Sequence, residues 1–217
     1  MLLGAGLGPA WGDDEQPVLL VVGDSLSAAY GIPSGRGWVD LLDARLKAEG
    51  VAYRVVNASI SGDTTRGGRS RLPAALDRAA PRVVVLALGG NDGLRGLPVE
   101  ETEGNLAAMI EAALLRGARV LLVGIRLPPN YGARYTEAFR GIYPRLAERY
   151  GLPWVPFLLE GVGGNPQLMQ EDGIHPRAEA QGRILDNVWE RLLPILRPGP
   201  EGTEGSVSAG RAAGGGG

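Results

Sequence analysis

The chain has 217 residues, of which 44% are hydrophobic and 21% charged, with a net charge of −2; this suits one sizeable α/β domain. It has neither the basic stripe of a nucleic-acid surface nor an apolar run of the ~18–20 residues a membrane span needs. With no cysteine and one histidine, His175, disulfides, thiolate catalysis and Cys- or His-rich metal sites are excluded, and nothing in the residues asks for a metal or a cofactor.

Met1 to Trp11 is small and mildly apolar without a basic start. Residues 1–16 are therefore expected to be an N-terminal extension or the remnant of a signal segment. Val18–Val22 is a continuous apolar run, as in a parallel strand buried on both faces. Trp38–Glu49 carries Trp38, Leu41, Leu42 and Leu46 at helical spacing and ends at Gly50, a helix stop. Tyr53–Val56 is a second strand. Thr65–Ala80 is a helix with Leu72, Leu76 and Ala79 on one face, and Val83–Leu88 is a third, fully apolar strand. Glu100–Arg116 is a helix stopped by Gly117, and Arg119–Val123 a fourth strand. Tyr135–Tyr150 reads as one helix before Gly151, Trp154–Phe157 as a short fifth strand, and Ala178–Leu196 as the closing helix. Residues 198–217 are Gly-, Pro- and Ser-rich and are expected to be a disordered tail, leaving 17–197 as one domain.

Strands alternating with helices give right-handed crossovers and a parallel sheet covered on both faces. Such sheets bind ligands beyond the carboxyl ends of the strands, where strand order reverses. In the order 2-1-3-4-5, the loops after strands 1, 2 and 3 share one crevice. Those loops read Gly23-Asp24-Ser25-Leu26-Ser27, Asn57-Ala58-Ser59-Ile60-Ser61-Gly62-Asp63-Thr64 and Gly89-Gly90-Asn91-Asp92-Gly93. A fourth segment, Asp172-Gly173-Ile174-His175-Pro176, lies before the last helix.

Ester hydrolysis by a hydroxyl needs a nucleophile, a base, a group to orient the base, and donors for the tetrahedral oxyanion. Ser25 is the candidate nucleophile and His175 the one available imidazole. Asp172, three residues before it, can reach Nδ1 if the segment turns. The candidate oxyanion donors are the Ser25 N–H, the Gly62 N–H and the Asn91 amide. Each piece alone has a plainer explanation. Gly-Asp-Ser and Gly-Asn-Asp-Gly are common turns, Asp63 or Thr64 suits a helix cap, and an Asp-x-x-His pair can be structural. Their joint occurrence in the loops that topology brings together favours a hydrolase. The serine lacks the G-x-S-x-G elbow of α/β-hydrolases, and no phosphate-binding glycine motif is present.

With Ser25, Gly62, Asn91 and His175 each centred in such a block, the chain resembles the SGNH (GDSL-type) hydrolases. The longer runs Asn57–Thr64, Leu88–Gly96, Ile125–Gly132 and Asp172–Pro176 are similar to the bacterial thioesterase I, lysophospholipase L1 and arylesterase branch, over roughly Val18 to Leu196. The resemblance implies a flavodoxin-like three-layer α/β/α sandwich and an open site without a large lid. It further implies hydrolysis of aryl esters, acyl thioesters and lysophospholipid-type substrates through an acyl-enzyme on Ser25, and a bacterial enzyme of the periplasm or outside the cell. Asp24, Leu26, Leu94, Leu97 and Ile174, with Ile125 and Tyr131, are candidate substrate contacts, and Asn91–Leu97 is similar to a substrate-responsive loop in relatives. The expected partner is a small acyl ester or thioester bound by a monomer, with no nucleic acid. Alternatives on the same fold are a carbohydrate O-deacetylase, an acyltransferase, or a non-catalytic binding module.

Overall fold

The computed structural model describes residues 16–197. The expected signal remnant, apart from Gln16, and the expected tail lie outside the described residues. In chain order the elements are β1 (Val18–Gly23), α1 (Trp38–Ala48), β2 (Arg54–Asn57), α2 (Thr65–Ala79), β3 (Val83–Ala87), α3 (Gly90–Leu94), α4 (Val99–Leu115), β4 (Arg119–Val123), α5 (Ala133–Arg140), α6 (Ile142–Tyr150), β5 (Trp154–Val155) and α7 (Gln181–Leu196). The strands form one parallel sheet in the order β2-β1-β3-β4-β5. Helices α1 and α7 pack together over one face and α2, α4, α5 and α6 over the other, the three-layer sandwich expected of right-handed crossovers.

The two central strands explain the stability of the frame. Every residue of β1 and of β3 is buried, so their Val and Leu side chains pack into both helical layers. β2, at the sheet edge, is half-exposed, with Arg54 and Asn57 outward. Pairing of Gly23 with Ala87 and of Val21 with Asn57 brings the carboxyl ends of β1, β2 and β3 nearly level. The chain after β2 stays attached to β1, because the Ala58 and Ile60 N–H groups donate to the Val21 and Gly23 carbonyls.

Two segments depart from expectation. The single helix over Tyr135–Tyr150 is instead α5 and α6, broken at Gly141. Pro144 has no N–H to give the Arg140 carbonyl, and glycine beside that gap makes the break cheap. The third loop, expected as a turn, winds into the short helix α3. Strand ends and helix ends elsewhere shift by one or two residues; the closing helix starts as a short 3₁₀ turn, Ala178–Ala180.

Gly124 follows β4 and ties it to the β5 edge, donating its N–H to the Val155 carbonyl and accepting from Leu158 N–H. A Cβ there would stand 2.7 Å from the Pro156 carbonyl oxygen and 2.8 Å from that of Val155, both rigid backbone. Gly124→Ala is expected to destabilise the protein by about 1–3 kcal/mol, read as a lower urea midpoint with an unchanged slope; an unaltered midpoint would show that this seam yields freely.

Candidate active site

Ser25 sits on a tight turn at the end of β1. The Ser27 and Ala28 N–H groups return to the Asp24 carbonyl, and Tyr30 N–H to the Ser25 carbonyl. Asp24 is 2% exposed, and its Oδ1 accepts the Leu26 N–H at 3.0 Å. Asn57, closing β2, donates its amide to the Ser27 carbonyl at 2.9 Å. Thus β2 helps hold the serine turn.

Across the crevice, residues 168–177 form a closed loop. Arg177 N–H donates to the Leu168 carbonyl and Gln170 N–H to the His175 carbonyl, each at 2.7 Å. Within it Asp172 folds back on its own segment. Its Oδ1 accepts the Ile174 and His175 N–H groups at 2.9 Å, and its Oδ2 lies 2.6 Å from His175 Nδ1. His175 Nε2 lies 2.8 Å from Ser25 Oγ. Asp172, His175 and Ser25 are therefore one hydrogen-bonded chain, in which His175 and Ser25 lie 150 residues apart in sequence. Such a chain can draw the proton from a hydroxyl and hold the resulting imidazolium. Partial burial pushes the Asp172 carboxyl up, but hydrogen bonds from His175 and Ile174 outweigh it and bring it down to about 2.

Gly62 adopts φ +79°, a left-handed conformation that glycine takes without strain, in the loop after β2. Among the described residues neither the Gly62 N–H nor the Ser25 N–H donates to a protein acceptor. The Asn91 amide donates to the Asp63 carbonyl at 2.8 Å, while its contact with Asp24 Oδ2, at 3.5 Å, is at the limit of a hydrogen bond. One amide hydrogen is thus firmly held and the other weakly.

Further side chains fix these loops. Arg71, on α2, donates to Asp63 Oδ2 at 2.7 Å, to the Gly23 carbonyl at 3.3 Å and to the Ala58 carbonyl, joining the first and second loops. Arg95 donates to the Gly62 carbonyl at 3.0 Å. The buried Asp92 accepts the Thr65 N–H and hydroxyl at 2.8 and 2.5 Å, fastening α3 to the start of α2. Thr64 caps α2 by accepting the Gly67 N–H, while Asp63, the other cap candidate, serves Arg71.

An apolar groove of about 360 Å³ opens beside the serine, lined among others by Leu26, Leu94, Ile125, Phe157, Met169 and Ile174. Of the candidate substrate contacts, Leu26, Leu94, Ile125 and Ile174 lie here. Leu97 does not: with Tyr131 it lines a separate depression, because the Tyr135 hydroxyl binds the Leu97 carbonyl and the Tyr131 hydroxyl that of Leu94, drawing the loop toward α5. Asp24 lies beneath the serine turn, too buried to line the groove.

A family model described as the GDSL-like Lipase/Acylhydrolase family matches residues 21–183. Esterase TesA of Pseudomonas aeruginosa is 57% identical over 82% of this chain and 89% of its own. A crystal structure of TesA superposes with a TM-score of 0.81 at 57% identity, over 82% of this chain and 99% of that one. The arylesterase of Vibrio mimicus and the thioesterase 1/protease 1/lysophospholipase L1 of Escherichia coli are each 47% identical over 82% of this chain, and 89% and 84% of their own.

Burial raises the Asp24 carboxyl from 3.8 to about 6, against the opposing pull of the Leu26 N–H and of His175. Because the folded value is the higher, this group supports the fold fully below pH ~4, and the support fades as pH rises through about 6. At pH 7 the buried carboxylate costs the folded state on the order of 3 kcal/mol. Asp24→Asn keeps an acceptor for Leu26 and cannot ionise. Its stability relative to the wild type should improve by up to about that amount between pH 4 and pH 7, in urea titrations at each pH. A difference independent of pH would rule out an ionising Asp24.

Proposed function

The chain belongs to the GDSL-like lipase/acylhydrolase family, and from that membership we propose that it hydrolyses carboxylic esters and acyl thioesters through an acyl-enzyme on Ser25. The observation that carries the proposal is the unbroken chain Asp172–His175–Ser25 at the mouth of an apolar groove. A substrate carbonyl settles beside Ser25 with its acyl chain along Leu26, Ile125 and Ile174. His175 takes the hydroxyl proton as Oγ attacks, and Asp172 holds the imidazole in place and balances its charge. The developing oxyanion is received by the Ser25 and Gly62 N–H groups and by the Asn91 hydrogen released from its long contact with Asp24. His175 then protonates the leaving alcohol or thiol. Water repeats the sequence on the acyl-enzyme and frees the acid.

The names of the relatives support this range: an esterase, an arylesterase and a thioesterase that is also a lysophospholipase. An apolar groove favours acyl chains over the hydroxyl-rich surface of a glycan, and so an ester or thioester hydrolase over a carbohydrate deacetylase. Every group invoked comes from one chain, so a monomer suffices. The site of action on this proposal is the periplasm, as for the branch the sequence resembles, or the space outside the cell; among the described residues no helix is long and apolar enough to cross a membrane.

Ser25→Ala is expected to abolish turnover of p-nitrophenyl butyrate, with losses of about 10⁴-fold or more, and to block labelling by a fluorophosphonate; turnover persisting in a clean preparation would sink the proposal. Asn91→Ala should lower kcat by about 10²–10³-fold with little change in KM, and a loss expressed mainly in KM would remove Asn91 from the oxyanion site. Across p-nitrophenyl esters from C2 to C16, kcat/KM should rise beyond acetate; activity confined to acetate would favour the deacetylase alternative.

A further inference from the structure

Ser25 and His175 lie on loops that share no covalent neighbourhood, and their mutual hydrogen bond is the one that must break and re-form during turnover. Something else has to hold the loops in register. The Gln170 side chain spans the gap. Its Nε2 donates one hydrogen to the Tyr30 carbonyl at 2.9 Å, on the serine loop, and the other to the Pro176 carbonyl at 3.0 Å, beside the histidine. Its backbone N–H meanwhile holds the His175 carbonyl at 2.7 Å. One residue thus grips the two peptide groups that follow His175 and reaches the serine loop 140 residues away.

That grip also places a ring. Tyr30 hydrogen-bonds back to the Ser25 carbonyl at 3.1 Å, and its ring lies against the His175 imidazole with centroids 4.6 Å apart and planes tilted by 42°. Asp172 and Ser25 fix the imidazole within its own plane; a hydrogen bond at each nitrogen does little to stop the ring swinging out of that plane. Tyr30 closes that direction. The tyrosine is 53% exposed, so a folding role is a poor account of a large aromatic in this place. Its face also suits the imidazolium that forms as the serine attacks.

We propose that Gln170 and Tyr30 are positioning residues for acyl transfer: the glutamine amide clamps the histidine loop to the serine loop, and the tyrosine ring so placed keeps the imidazole aligned with Ser25. This inference rests on the esterase function proposed above. Neither residue meets the reacting atoms; both act through His175.

Gln170→Met preserves size and removes the amide donors, Tyr30→Leu removes the ring, and Tyr30→Phe keeps it. With p-nitrophenyl butyrate, Gln170→Met should lower kcat about 10–100-fold and Tyr30→Leu about 10-fold, each with KM within about twofold. Tyr30→Phe should restore most of the loss. The double variant Gln170→Met/Tyr30→Leu should be little worse than Gln170→Met alone, since both act on one alignment. The inference is overturned if kcat is kept in Gln170→Met and Tyr30→Leu, if the loss falls on KM instead, or if Phe and Leu at position 30 are equally damaging. Should Gln170→Met fail to fold by circular dichroism, the Tyr30 pair decides alone. Failure of the underlying esterase function is a separate result: Ser25→Ala would then retain turnover.

Discussion

The alignment of three strand ends is the constraint from which the rest follows. β1 lies between β2 and β3, and pairing Gly23 with Ala87 leaves the loops after all three strands on one edge of the sheet. Parallel pairing allows only this, since every crossover helix returns the chain to the same end. Because β1 and β3 are buried throughout, a register slip would turn Leu19, Leu20, Val84 and Val85 against the wrong helical layer. Hydrophobic burial therefore fixes the position of Ser25 indirectly, by refusing every other register.

The loops hung on that edge are irregular, and their backbone groups need partners that a helix or strand would supply for itself. Side chains provide them. Arg71 satisfies the Gly23 and Ala58 carbonyls, Asn57 that of Ser27, Asn91 that of Asp63, and Arg95 that of Gly62. A side-chain anchor of this kind serves twice, since it satisfies a polar group and fixes the loop that carries a reacting one. The Ser25 and Gly62 N–H groups find no acceptor among the described protein atoms. Two amides left without a protein acceptor, one in the loop after β1 and one in the loop after β2, fit the proposed oxyanion role.

Much of this was legible in the sequence, and the parts that were not have a common cause. Apolar runs such as Val18–Val22 and Val83–Leu88 announce buried strands because burial on both faces leaves nothing to alternate. Ser25, Asp172 and His175 stand out because the histidine is single and because topology brings their segments together. Arg71, Gln170 and Tyr30 gave no signal. The first two act on backbone carbonyls, which carry no sequence identity, and Tyr30 acts through a ring contact with a residue 145 positions away in the chain. Leu97 was misplaced for a related reason: loop direction depends on which carbonyls Tyr131 and Tyr135 seize. The break at Gly141 was readable, since Pro144 withdraws the hydrogen bond a continuous helix would need, but the apolar periodicity on either side hides it.

Two carboxyl groups beside the serine set opposing demands on pH. Asp172, held at about 2 by the N–H groups it accepts, supports the fold above its ordinary value near 3.8, and that support is lost as pH falls toward 2. It is partly exposed, so solvent screening makes its contribution modest. Asp24, held near 6 by burial, gives its support at low pH and loses it on the way up to neutrality. Taken together, the pair favours the folded state most near pH 4. A protein acting at neutral pH therefore works where Asp24 is ionised and burdens the fold. In return Asp24 orders the Leu26 amide at the serine turn and lies within reach of the Asn91 donor, which puts a carboxylate disfavoured by burial directly beneath the proposed nucleophile.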